Sequence, residues 1–60
     1  MKSPDRRAQI LAAAARLFEQ RRFDEVLMED IAKAARVAKG TLYLYFKTRE
    51  ELFLTLYEQS

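Results

Sequence analysis

The sixty residues include no cysteine and no histidine, and only one glycine and one proline. Without cysteine there is no disulfide, and without either residue type the usual zinc sites are excluded. No cofactor is expected. The lack of cysteine accords with a reducing compartment. No apolar run approaches the roughly 20 residues that a membrane-spanning helix needs. The opening Met1-Lys2-Ser3-Pro4-Asp5-Arg6-Arg7 has none of the apolar character of a secretory signal. These absences predict a cytoplasmic protein with no membrane partner. A catalytic role is not expected either. Histidine, cysteine and a phosphate-binding loop are all missing, and the carboxylates fall at predicted helix starts or on exposed faces.

A chain this short buries only about 60% of the surface its unfolded form exposes. Small scaffolds of this kind are usually reinforced by a disulfide, a metal or a partner. With the first two gone, efficient helix packing or association with additional chain remains, and the second is the reading favoured here.

Acidic residues are missing from one long stretch. Residues 31–49 hold Lys33, Arg36, Lys39, Lys47 and Arg49 with no aspartate or glutamate, although the whole chain carries only +2. The N-terminal decapeptide is also net positive, whereas 11–30 and 50–60 are net negative. Such a concentration is the footprint of a phosphate-binding surface; the alternative is a solvated basic face.

What is present favours helix almost throughout. Ser3 as cap, Pro4 at the first position and Asp5 beside it open a first helix predicted over Pro4–Gln20. Ile10, Ala14, Leu17 and Phe18, with Ala13, form its buried stripe. Arg21-Arg22-Phe23-Asp24 reads as the exit, with Phe23 and Val26 pinning the connection to the core. A second helix is predicted over Met28–Ala35, with Glu29 and Asp30 in its first turn, Ile31 and Ala35 inward, and Ala32 and Ala34 permitting close contact. Arg36-Val37-Ala38 is a tight turn. A third helix spans Lys39–Phe46. Thr48 and Glu51 have capping-box spacing and open a fourth helix with an apolar stripe of Leu52, Phe53, Leu56 and Tyr57. That pattern is still helical at Ser60, so the chain reads as continuing.

Two short helices joined by a three-residue turn make a helix-turn-helix, in which the first helix braces the second for the DNA major groove. The chemistry of the second helix suits that task. Gly40 lets backbone approach a duplex closely, and the free amides of the first turn can receive a phosphate oxygen. Lys39 can donate to phosphate or a guanine edge, and Thr41 offers a hydroxyl and a methyl. Tyr43, Tyr45 and Lys47 can reach phosphates. Leu42 and Phe46 are core. Simpler roles stay open: either tyrosine as partly structural, Lys39 and Lys47 as solvated lysines, Glu29 and Asp30 as helix-start charges. Arg6 and Arg7 are either solvated or an arm on the DNA backbone. A helical protein-docking module is the competing reading, but it has no need of an acid-free segment.

The run Met28-Glu29-Asp30-Ile31-Ala32-Lys33-Ala34-Ala35-Arg36-Val37-Ala38-Lys39-Gly40-Thr41-Leu42-Tyr43-Leu44-Tyr45-Phe46-Lys47-Thr48-Arg49-Glu50-Glu51-Leu52 resembles the signature of the TetR family of repressors. Ile10 to Phe18 is similar to that family's first helix. The resemblance implies an all-α, three-helix, homeodomain-like DNA-binding domain over residues 1–60, with the start of a fourth, linking helix. It also implies a homodimer through a C-terminal domain not included here, a small-molecule effector on that domain, and a double-stranded DNA operator. It strengthens the expectation of contacts from Lys39, Thr41, Tyr45 and Lys47. The chain departs from the family pattern at Arg22 and Arg36, where glycine is frequent, and at Leu27 and Ala38, where a serine or threonine cap is common. A left-handed Arg36 would cost on the order of 1 kcal/mol relative to glycine; a phosphate contact by Arg36 would offset that loss.

Overall fold

In a computed structural model that describes residues 5–59, and side chains through residue 58, all regular structure is helical. Helix α1 spans Arg6–Gln20, α2 Met28–Ala35, α3 Lys39–Tyr45 and α4 Arg49–Gln59, with a single 3₁₀ turn at Phe23–Glu25 between α1 and α2. The second helix and the turn after it fall where the sequence pattern puts them. The 3₁₀ turn is new: an exit was expected there, not an element.

Helix α1 starts later than the sequence suggests. Its cap is Asp5, whose carboxylate accepts from the Arg7 amide at 3.0 Å; Ser3 and Pro4 lie outside the described residues. Its last turn closes without glycine, on an extended Arg21 whose N–H donates to Leu17 O at 2.9 Å. Arg22 is also extended, so the residue expected to miss glycine carries no strain. Helix α3 is one residue shorter than expected because Phe46 is already extended.

The opening of α4 is half a capping box. Thr48 Oγ1 accepts from the Glu51 amide at 3.1 Å, but Glu51 Oε1 accepts from the Lys47 amide at 2.9 Å rather than from that of Thr48. Leu27 and Ala38 stand at the N-caps of α2 and α3 and supply no side-chain acceptor. Such losses cost about 0.5–2 kcal/mol each, which tertiary packing must offset.

Ile10, Ala13 and Ala14 of α1 meet Ile31, Ala32 and Ala35 of α2, with Val26, Leu42, Phe46 and Leu52 closing the core. Leu11 belongs to it as well, one position outside the predicted stripe. Ala34, by contrast, is exposed. No buried polar or charged residue occurs among the described residues. The core is therefore apolar, and orientation comes from bonds at its rim. Gln9 Nε2 donates to Ala35 O at 2.7 Å, tying α1 to the end of α2. Arg21 pairs with Asp30 at 3.0 Å, joining the end of α1 to the start of α2.

A second cluster flanks the core. Phe18 stacks on Phe23 at 5.6 Å between centroids, and Phe53 meets both edge-on at 5.4 and 5.3 Å. Tyr57 then stacks on Phe53 at 6.1 Å. Of the predicted α4 stripe, Leu52 is fully buried and Leu56 packs against the core, while Phe53 and Tyr57 stay substantially exposed along this aromatic seam.

Candidate nucleic-acid interface

The turn that aims α3 is set by Arg36. Its φ and ψ are 61° and 40°, the left-handed region, and it is the one described non-glycine residue with positive φ. The Arg36 amide donates to Lys33 O at 3.1 Å and the Val37 amide to Ala32 O at 3.0 Å. This is the paired closure of a Schellman motif, which usually falls to glycine. Val37 then packs against the core. The strain at Arg36 is held by this packing, and the side chain remains exposed.

Seven residues of helix with Leu42 buried, followed by the buried C-cap Phe46, leave a defined outer surface. Successive residues turn by about 100°, so positions four apart form rows along a helix. Leu42 and Phe46 make the buried row. Lys39 and Tyr43 make one flank, beside which Lys47 lies just past the helix end, Thr41 and Tyr45 make the other, and Gly40 with Leu44 the crest between them. Tyr43 is 37% exposed and Tyr45 42%. Two tyrosines two apart in sequence thus both reach solvent, one from each flank. Thr41 is half-buried, and Lys39, Gly40 and Lys47 are exposed.

Local bonds steady the first flank. Lys39 Nζ lies 3.7 Å from Glu29 Oε1, and Lys47 Nζ donates to Tyr43 O at 3.5 Å. Both ions of the Glu29–Lys39 pair are more than half exposed, so the pair is weak and Lys39 is readily given up to another acceptor. At Gly40, a Cβ would meet nothing within 4 Å, so the protein's own packing does not require glycine there.

Five of the six expected positions, Lys39, Gly40, Thr41, Tyr43 and Tyr45, therefore share the outer surface of one helix, and Lys47 lies two residues past its end. Arg36 sits in the turn just before it. Arg6 opens α1 and is exposed. Its neighbour Arg7 lies over the Phe46 ring at 5.6 Å, so the start of α1 is beside the end of α3.

Sequence reasoning credits two residues wrongly or not at all. Arg49, counted in the basic segment, turns inward: its Nη1 donates to Val26 O at 2.8 Å and Asp24 O at 3.2 Å, and its guanidinium lies 5.1 Å over Phe23. It clamps the 3₁₀ turn onto α4. Leu44 is missed altogether, yet is 79% exposed at the crest of α3. The signal was available, because Leu44 stands about 180° from the centre of the Leu42–Phe46 row.

A family model described as bacterial regulatory proteins of the tetR family matches residues 10–56. The chain belongs to the TetR family. Its helix-turn-helix is that family's DNA-binding domain. Among curated relatives, it is 44% identical over 52 residues to the HTH-type transcriptional regulator EthR of Mycolicibacterium smegmatis, covering 87% of this chain and 24% of that protein. It is 47% identical over 51 residues to the uncharacterized HTH-type transcriptional regulator YhgD of Bacillus subtilis, covering 85% and 27%. With the HTH-type transcriptional regulator AcrR of Shigella flexneri it shares 41% identity over 54 residues, covering 90% and 25%. The chain thus spans about a quarter of the TetR-family relatives it matches. No solved structure matches it. Among the described residues, no helix is long and apolar enough to cross a membrane.

Proposed function

We propose that this chain is the DNA-reading head of a transcriptional repressor that seats α3 in the major groove of a palindromic operator. The observation that carries the reading is the outer surface of α3, with a phenol hydroxyl on each flank, lysines on one of them, and its apolar side turned into the core. A groove is walled by phosphates and floored by base edges. Flanks of lysine and tyrosine suit the walls. On this reading Tyr43, Tyr45 and Lys47 hold phosphates, with Arg36 and Arg6 adding contacts outside the helix. Lys39 and Thr41 reach base edges. The relatives' names, as transcriptional regulators, support a regulatory rather than an enzymatic role.

The fuller design follows the relatives' length. A larger domain outside these sixty residues pairs two copies and takes a small-molecule effector whose binding releases the operator. Such a protein works in the cytoplasm, where a bacterial chromosome is found. Two heads related by a twofold axis read half-sites one helical turn apart, about 34–36 Å, or a multiple of it.

The test is a salt titration of the protein on a duplex selected from a randomised pool. Neutralising several phosphates releases counterions, so log affinity falls linearly with log salt, with a slope near −0.9 per phosphate contacted. A flat response overturns the reading and favours the protein-docking alternative.

A further inference from the structure

We propose that Leu44 is a specificity-determining residue that recognises the C5-methyl group of a thymine in the major groove. The inference rests on the DNA-binding reading above and assigns a base to a position that reading leaves without a role.

Among the large hydrophobic side chains described, Leu44 is the most exposed, at 79%. Nothing in the fold accounts for an apolar residue there. Leucine is a good helix former, but so are lysine, glutamine, glutamate and arginine, which would leave no bare apolar surface in water. The position is also particular. Leu44 occupies the crest of α3, opposite the buried side, with the Lys39–Tyr43 flank on one side and Thr41–Tyr45 on the other. A duplex that meets both flanks with its phosphates necessarily presents its groove floor to the crest. One turn before Leu44 the crest is Gly40, which has no side chain and open space around it. The leucine is therefore the tallest group on the crest and the first to touch the floor.

Chemistry selects the ligand. Leucine has no donor or acceptor, so it cannot read the hydrogen-bonding edges of guanine, cytosine or adenine. Thymine alone among the four bases carries a methyl in the major groove. Contact between that methyl and the leucine branch removes apolar area from water on both sides, without desolvating any polar group on the protein.

The experiment deletes the methyl from the DNA. Duplexes are selected from a randomised pool with the protein, and each thymine of the selected sequence is replaced in turn by deoxyuridine. At one thymine per half-site, the replacement should weaken binding about fourfold, the worth of one buried methyl group. Leu44→Ala should be indifferent to deoxyuridine at that position, and duplexes selected with it should lose the thymine there. The variant should keep the parent's thermal midpoint, since the side chain it truncates is in solvent. Salt-dependent binding that is insensitive to deoxyuridine everywhere, or a Leu44→Ala protein that keeps the same thymine preference, overturns the assignment to Leu44 alone. Absence of salt-dependent duplex binding overturns the underlying DNA reading, and this proposal with it.

Discussion

At the scale of single residues, stability and recognition pull apart at two positions. Arg36 holds a left-handed backbone that glycine would adopt without penalty. Arg36→Gly should therefore stabilise the fold by about 1 kcal/mol, raising the thermal midpoint by several degrees. Arg36→Ala keeps the strain and should leave the midpoint near the parent's. If both variants lose affinity for duplex equally, the guanidinium contributes a contact; if neither does, Arg36 serves the turn alone. Gly40 presents the opposite case. It lies in the first turn of α3 with space for a methyl group, and glycine within a helix costs roughly 0.5–1 kcal/mol relative to alanine. Gly40→Ala should melt later yet bind duplex less tightly, a split that calorimetry and a binding isotherm measure side by side. Unchanged affinity would mean that DNA does not approach the backbone there. On the flanks, Tyr45→Phe and Lys47→Ala should weaken selected and random duplexes to the same degree, because phosphate contacts carry no base information. Changes at Lys39 or Thr41 should alter which duplexes are selected.

At the scale of elements, helix positions were legible because apolar spacing, caps and turn length agree with one another. Met28–Ala35 and the three-residue turn follow directly from the Ile31–Ala35 spacing and the acids ahead of it. What stayed hidden depends on the third dimension. Arg49 has the same charge as its exposed neighbours, and only the folded path of the 3₁₀ turn brings two carbonyls and a ring within its reach. Gln9 likewise gives no sign in sequence that it meets the end of α2, 26 positions away. The outer surface of α3 was partly readable: its lysines and tyrosines announce themselves by type, whereas Leu44 looks like any core leucine until the buried row is known. Arg49 gives this scale its prediction. Arg49→Met retains the stem but loses both hydrogen bonds and the ring contact, so unfolding in urea should need about 1–3 kcal/mol less. A stability equal to the parent's would show that the clamp is dispensable.

At the scale of the molecule, one short helix offers few contacts, and the proposed dimer makes good the deficit. Joining two binding heads converts the second encounter into an intramolecular one and can raise affinity by about 10²–10⁴. The sixty residues alone should bind a palindromic duplex weakly, and fusion to a dimerising coiled coil of suitable span should tighten binding at least a hundredfold. Tight one-to-one binding of a full site by the lone sixty residues would refute the need for pairing. The aromatic seam bears on how such a pair could be governed. Phe53 grips Phe18 and Phe23, and Tyr57 extends that grip along α4. A torque applied at the far end of α4 would thus reach α1 and the 3₁₀ turn first, through the edge contacts of Phe53 with Phe18 and Phe23. On the proposed reading, α3 would be carried along like a blade fixed in its handle. Control from a distance would then act by changing where each blade points, and leave its cutting edge unaltered.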